Sequence, residues 1–124
     1  MARRPTPGLT DGEARIMAVL WERKRATVAE VQSALRGRHK VTYSTVQTVL
    51  RILESKGYAA HDKAGRAFVF RPLVDERQAR RRALRHMLSR LFDNSPSLLV
   101  LNVLEDEHMD AEELERLKRL IREA

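Results

Sequence analysis

The chain has 124 residues, of which 43% are hydrophobic and 33% charged; this composition supports one folded domain, or one domain with a short appendage, and excludes wholesale disorder. The absence of cysteine excludes disulfides, thiolate metal sites and a cysteine nucleophile. No apolar run of the sequence approaches the ~20 residues of a membrane helix; Leu98–Leu101, for example, has only four. We therefore expect a cytoplasmic protein without membrane insertion.

The charge is divided unevenly along the chain. The formal net charge is +7, but residues 1–90 contain 20 Lys and Arg against 8 Asp and Glu (+12), whereas residues 91–124 contain 4 against 9 (−5). A concentrated positive charge predicts a polyanionic partner for the first part of the chain. The alternative is a solubilising surface of mixed charge.

Two Thr-x-x-Glu motifs, Thr10–Glu13 and Thr27–Glu30, mark the starts of two helices. In such a capping box each side chain satisfies a backbone N–H group of the other residue. We predict that the first helix runs to about Arg23 and that a short second helix ends near Gly37. A basic connection at residues 38–40 follows.

A third helix is predicted from about Thr42 to Lys56, with Gly57 ending it. Its apolar residues recur at i, i+3, i+4 and i+7, which predicts a face turned to the core, formed by Val46, Val49, Leu50 and Leu53. The opposite face is polar and consists of Ser44, Gln47, Thr48, Arg51 and Ser55.

This polar face has the chemistry of a surface that reads DNA. Arg51 can donate two hydrogen bonds to guanine, and Gln47 can pair with adenine. Thr48 can present its methyl group to thymine, or its hydroxyl to a phosphate. Tyr43 and Ser44, at the helix N-terminus, are placed for backbone phosphates. The alternative is an ordinary solvated helix face, for which Glu and Lys pairs would be more usual.

After the third helix the hydrophobic period changes from 3.6 to 2. Tyr58–His61 and Ala67–Phe70 predict two short strands joined by a loop at residues 62–66. Three helices followed by a basic hairpin predict a winged helix-turn-helix. Lys63 and Arg66 of the loop are predicted to contact DNA, although cations are also common in exposed turns that bind nothing.

From Asp75 the pattern is helical again up to about Phe92, and Pro96 opens a further helix. A last helix begins at Asp110. The exposed side of the first of these helices is basic and is either a phosphate-binding or a merely solvated face: Arg77, Arg80, Arg81, Arg82 and Arg85. The apolar stripes exceed what a monomer of this size covers and predict a homodimer through Leu88, Leu91, Phe92, Leu98, Leu101, Leu104, Leu114, Leu117 and Ile121. The alternative is an intramolecular three-helix cap.

We therefore predict a mainly α chain with a small β-hairpin wing. A winged helix-turn-helix DNA-binding domain is expected at residues 1–74 and a helical dimerisation domain at 75–124. The predicted function is a sequence-specific transcriptional repressor that binds double-stranded, dyad-symmetric operator DNA as a homodimer, with half-sites ~34 Å apart. The alternative is a winged-helix protein–protein interaction module.

An enzyme is not expected. The four histidines (His39, His61, His86 and His108) are scattered and lack metal-ligand spacing. The sequence contains neither a glycine-rich phosphate loop nor a nucleophile elbow. We accordingly expect no cofactor and no metal site.

Five stretches of the sequence resemble the penicillinase-repressor (BlaI/MecI) family of bacterial winged-helix regulators and occur in the family's order. They are LTDGEARIMAVLW (9–21), TVAEV (27–31), YSTVQTVLRILESKG (43–57), GRAFVFRPLV (65–74) and LFDNSPSLLV (91–100). The resemblance implies homodimers that bind dyad-symmetric operators, a helical C-terminal dimerisation part, and a DNA-reading role for Ser44, Thr45, Gln47, Thr48 and Arg51.

Two features of the family are only partly matched. In its antibiotic-resistance members, repression is relieved by proteolysis at an Asn-Phe bond, and the corresponding place here is Asn102–Val103. The resemblance thus implies that this bond is a candidate cleavage site and that a membrane-bound sensor protease is a candidate partner. It also implies that β-lactam-response or related genes are candidate targets. The copper-responsive branch senses metal through clustered cysteines, which this chain lacks.

Overall fold

A computed structural model describes residues 8–35, 41–106 and 108–123. In these residues the chain forms helices α1 (Asp11–Arg23), α2 (Val28–Ala34), α3 (Tyr43–Ser55), α4 (Glu76–Leu91), α5 (Pro96–Asp106) and α6 (Ala111–Glu123), and strands β1 (Ala26–Thr27), β2 (Ala59–Ala64) and β3 (Ala67–Pro72). The predicted class, mainly α with a small β element, is confirmed. The predicted end of the second helix near Gly37 and the basic connection at 38–40 lie outside the described residues.

The chain divides into two compact units, Met1–His86 and Met87–Ala124. The first unit contains α1 to α3, the sheet and most of α4. The predicted assignment of residues 1–74 to DNA binding and 75–124 to dimerisation concerns the roles of these parts and stays a prediction.

Both predicted capping boxes form, with matching geometry. In each, the Thr N–H donates to a Glu Oε1 at 2.9 Å, and the Glu N–H donates to the Thr Oγ1 at 3.2 Å. The boxes differ in their surroundings, because Glu13 is buried and Glu30 is exposed. The hydrogen bonds from the Thr27 backbone and side chain hold the pKa of Glu30 below its usual value.

The core of the first unit lies between α1, α2, α3 and the sheet. Val46, Leu50 and Leu53 of α3 are fully buried, as the sequence predicts, while Val49 is half-buried at the edge of the core. These residues pack with the largest buried side chains of the other elements, which are Met17, Leu20, Val31, Tyr58 and Phe70. α3 is therefore anchored along one face.

The sheet has three strands in the order β1-β3-β2, all antiparallel. β1 is only two residues long and was not predicted from the sequence, because so short a strand has no readable period. The predicted loop at 62–66 is wrong in length: residues 62–64 continue β2, and only Gly65 and Arg66 form the turn. Gly65 has a φ of 62°, which suits the first central position of a two-residue hairpin turn.

The hairpin presents two different faces. Its register pairs His61 with Phe70 and Lys63 with Phe68, so these four side chains share the face that contains the buried Phe70. On the other face, Arg71 Nε donates to the carboxylate of Asp62 at 3.0 Å.

A buried ion pair joins the end of α3 to the start of α1. Lys56 Nζ lies 2.7 Å from Glu13 Oε1 and also donates to the carbonyl oxygen of Gly8 at 2.9 Å. The two charged side chains are only 5% and 6% exposed. A separate hydrogen bond joins α1 to the segment after β3: Trp21 Nε1 donates to the carbonyl oxygen of Val74 at 2.9 Å.

The ends of the later helices also follow local rules. α4 begins at an unpredicted capping box, in which Asp75 N–H donates to Gln78 Oε1 at 3.0 Å and Gln78 N–H to Asp75 Oδ1 at 2.7 Å. Before α5, Asp93 and Asn94 have positive φ angles, and Pro96 occupies the first helical position, as predicted. Within the described part of the chain, no helix combines the length and apolar character needed to cross a membrane.

Candidate nucleic-acid interface

The polar face of α3 is accessible while the opposite face is held in the core. Tyr43, Ser44, Thr45, Thr48 and Arg51 are exposed. Gln47, also on this side, is half-buried and lines a groove. All six predicted contact residues on this helix therefore lie where a ligand can approach them, on a support that the core makes rigid.

The N-terminus of α3 is organised by Thr42. Its Oγ1 accepts the Thr45 N–H at 3.2 Å and donates to Thr45 Oγ1 at 2.8 Å. The Thr45 hydroxyl can then donate its own hydrogen to an acceptor outside the protein. Ser44 lies beside this pair, with its hydroxyl 3.4 Å from that of Thr42. The helix start thus offers hydroxyl donors together with the positive end of the helix dipole.

Arg51 lies two turns further along the same face. No described residue forms a hydrogen bond or ion pair with its guanidinium group. An unpaired guanidinium keeps all five of its N–H donors for a partner such as guanine, which offers two acceptors in the major groove. Among the exposed residues of α3, Arg51 has the chemistry most selective for one base.

The two predicted wing contacts occupy different places. Arg66 is in the turn and lines a cleft together with Tyr43 and the start of α2. Lys63, expected in a loop, lies instead in β2 opposite Phe68. Both are exposed. Because side chains alternate along a strand, the Lys63 side chain lies on the same face of the hairpin as those of His61 and Phe68.

A groove separates the second half of α3 from the wing. Its helix wall consists of Gln47, Arg51, Glu54 and Ser55, and its wing wall of His61, Phe68 and Phe70. Phe68 is 38% exposed although it belongs to a strand that faces the core.

One contact across this groove was not anticipated from the sequence. His61 Nδ1 lies 2.8 and 2.7 Å from the two carboxylate oxygens of Glu54. The imidazole ring also contacts Phe68 and Phe70, with centroid distances of 4.6 and 5.3 Å. Glu54 precedes His61 by seven residues and lies on a different element, so only the tertiary structure reveals the pair.

The basic face of α4 is partly engaged within the chain. Arg80 forms an i,i+4 ion pair with Glu76 at 2.6 Å, and the Arg82 guanidinium lies 5.2 Å from the centroid of the Tyr58 ring. No partner of Arg77, Arg81 or Arg85 occurs among the described residues.

The predicted dimerisation residues leave much apolar surface uncovered in the single chain. Three of them, Leu88, Phe92 and Leu114, are half-buried. The other six, Leu91, Leu98, Leu101, Leu104, Leu117 and Ile121, are exposed. The candidate cleavage bond Asn102–Val103 lies inside α5, where Asn102 Nδ2 donates to the carbonyl oxygen of Leu98 at 2.8 Å.

No group of three His, Asp or Glu side chains placed to hold a metal ion occurs in the residues that the structure describes. Apart from Glu54, the polar residues that line the groove between α3 and the wing instead provide hydroxyl, amide, guanidinium and imidazole groups. This is the chemistry of an interface with a nucleic acid, since such groups bind phosphate and base-edge acceptors.

Comparison with known proteins supports this interpretation. The penicillinase repressor family model matches residues 9–123. The chain is 31% identical over 117 residues to the penicillinase repressor of Bacillus licheniformis, covering 94% of this chain and 91% of that protein. It is 21% identical to the methicillin resistance regulatory protein MecI of Mammaliicoccus sciuri, covering 91% of this chain and 92% of that protein.

The solved structure of the DNA-binding domain of the repressor BlaI is also similar, with a TM-score of 0.51 and 34% identity over 61% of this chain and 90% of that chain. This similarity confirms the predicted winged-helix fold. Because the matching family consists of transcriptional repressors, the prediction that the protein is not an enzyme is confirmed as well. The chain belongs to the penicillinase repressor (BlaI/MecI) family of winged-helix transcriptional repressors.

Proposed function

We propose that this protein is a cytoplasmic, sequence-specific repressor that binds a dyad-symmetric operator as a homodimer, with the exposed face of α3 in the major groove. The observation that carries the proposal is the combination on one helix of a face packed into the core and an accessible face on which Arg51 has no partner among the described residues. A rigid helix with free donors is what direct reading of base edges requires.

The proposed roles of the contact residues follow from their positions in the site. Gln47, Thr48 and Arg51 lie along the middle of α3 and contact bases. Tyr43, Ser44 and Thr45 at the helix start contact the phosphate backbone. Lys63 and Arg66 extend the phosphate contacts along the wing. The similarity of this part of the chain to the solved DNA-binding domain of the repressor BlaI supports a DNA-contacting role for it.

The alternative is a winged-helix module that binds another protein. Salt dependence and sequence preference distinguish the two functions. We expect the full chain to enrich a preferred duplex from a random pool and to bind it at least 10³-fold more tightly than a scrambled duplex, the usual lower range for specific DNA binding. Between 50 and 200 mM salt, its affinity should fall roughly 100-fold or more, with a log–log slope of about −0.9 per phosphate contacted. Equal binding of both duplexes at physiological salt would contradict the proposal.

The homodimer part of the proposal is supported by the second unit. No residue of α5 is buried, and the same holds for the described residues of α6. The exposed leucines and Ile121 thus provide an apolar surface of the kind that a second copy covers in a homodimer. A twofold dimer would present two α3 helices to half-sites about one DNA turn (~34 Å) apart.

Truncation of Ile121, which is 71% exposed in the single chain, tests the dimer surface. If Ile121 is buried against the partner, Ile121→Ala should cost about 2 kcal/mol of dimerisation free energy, a roughly 30-fold weaker dimer. Sedimentation equilibrium measures this change. The matched control is Arg119→Ala, an exposed residue on the opposite side of α6. An unchanged dimer constant for Ile121→Ala would exclude this surface.

The proposed target genes and the proposed mechanism of induction are based on the similarity to the relatives. Their names concern penicillinase and methicillin resistance, so β-lactam-response genes are the first candidate targets. A membrane-bound sensor protease that cleaves Asn102–Val103 is the corresponding candidate partner. Because this bond is inside α5, cleavage requires that the helix opens locally.

A further inference from the structure

The pair formed by His61 and Glu54 lies at the groove between α3 and the wing, beside Gln47 and Arg51, which we propose to contact DNA. Glu54 is the one carboxylate among the residues that line this groove in the described structure. A carboxylate beside a phosphate is unfavourable, because two like charges repel each other. Its presence at this point of an otherwise basic or neutral groove therefore needs a compensating positive charge.

The geometry of the pair restricts the hydrogens on the imidazole. An ionised carboxylate only accepts hydrogen bonds, so His61 Nδ1, at 2.7 and 2.8 Å from the two Glu54 oxygens, must carry a hydrogen. No hydrogen bond of Nε2 is found within the described residues. The side chain of His61 is 37% exposed, so this second nitrogen is left for an external partner.

A DNA phosphate offers only acceptors, so it can bind Nε2 only if that nitrogen also carries a hydrogen. With Nδ1 already a donor to Glu54, both nitrogens are then protonated and the ring is an imidazolium cation. We infer that His61 donates from Nε2 to a backbone phosphate of the operator while Glu54 orients and stabilises the cation, so that DNA binding takes up a proton. This inference rests on the proposed function, since it assigns a further contact residue to the same interface.

The other groups around the ring are consistent with this role. From α3, Arg51 lines the same groove as Glu54, and from β2, Lys63 lies on the same face of the hairpin as His61. β3 contributes the aromatic rings of Phe68 and Phe70, which contact the imidazole and fix its plane. A phosphate that arrives at Nε2 adds a negative charge beside the ring and favours the protonated form, which couples proton uptake to binding.

The experiment measures the affinity of the full chain for its selected duplex between pH 5.5 and 8.5 at constant ionic strength. Proton uptake predicts that affinity falls as pH rises, by at most tenfold per pH unit for each half-site that takes up one proton. His61→Gln should remove this component, and His61→Arg, with a permanent cation, should bind tightly at all pH values. His108→Gln, a substitution in the second unit, is the matched control and should keep the pH profile of the unmodified protein.

Two further results separate the parts of the inference. Glu54→Gln should move the pH dependence to lower pH, because the amide no longer stabilises the cation; an unchanged profile would exclude Glu54 from the role. His61→Gln should weaken binding to all duplexes alike, whereas a loss of discrimination at one base pair would replace the phosphate by a base. If His61→Gln binds specifically and keeps the pH profile of the unmodified protein, the inference about His61 is wrong but the proposed function stands. If the unmodified protein shows no specific binding at any pH, the proposed function itself is wrong.

Discussion

Glu13→Gln is expected to lower the free energy of unfolding by about 3 kcal/mol, because it leaves the buried ammonium group of Lys56 without its anion. The substitution keeps the shape of the side chain and its place in the capping box, since glutamine also serves there. The loss therefore reports the buried charge. Urea denaturation followed by circular dichroism measures it as a lower midpoint at unchanged slope.

Glu30→Gln is the matched control for this prediction. Glu30 occupies the equivalent position of the second capping box, at the same hydrogen-bond distances, but it is exposed, and no buried cation lies beside it among the described residues. We expect its midpoint to stay close to that of the unmodified protein. Equal effects of the two substitutions would show that the capping box, and not the buried pair with Lys56, supports the first helix.

The pair of Lys56 and Glu13 also bears on function. Lys56 is the C-cap residue of α3, and its contacts with Glu13 and Gly8 tie that end of the helix to the start of α1. A helix that reads base edges must hold its side chains to within a fraction of an ångström, and fixed ends contribute to this. The stability of the first unit and the position of Arg51 thus depend on the same contacts.

Local patterns explain which features could be predicted. The capping boxes and the spacing of Val46, Leu50 and Leu53 define helices and their buried face without reference to the rest of the chain. Once the buried face of α3 is known, the exposed face follows, and with it the residues proposed to contact DNA. These parts of the fold agree with the structure to within a residue or two.

Most of the features that were missed depend on tertiary contacts; the capping box of Asp75 and Gln78 is the local exception. β1 is two residues long and exists because it pairs with β3. Lys63 was placed in a loop because Asp62 and Ala64 are weak strand formers, and pairing within the hairpin overrides that preference. Lys56 and Glu13 are distant in sequence, and His61 and Glu54 lie on different elements. Neither contact can be predicted from the hydrophobic periodicity of the sequence.

Arg51→Ala is the second substitution with a large expected effect. If Arg51 donates two hydrogen bonds to one guanine, its loss should cost about 1–3 kcal/mol of binding free energy on the preferred duplex. The same substitution should relax discrimination at that base pair only. Lys63→Ala, which removes a proposed phosphate contact, should weaken binding to all duplexes alike and reduce the salt slope by about 1.

The measurement that tests the reading role of α3 most directly is the affinity of the unmodified protein, Arg51→Ala and Lys63→Ala for every single base-pair variant of the selected duplex. We predict that Arg51→Ala no longer discriminates at one G·C pair in each half-site and retains the other preferences, while Lys63→Ala retains all of them. A uniform loss of affinity in Arg51→Ala, with every preference retained, would show that Arg51 binds the backbone and would contradict base reading by this residue of α3.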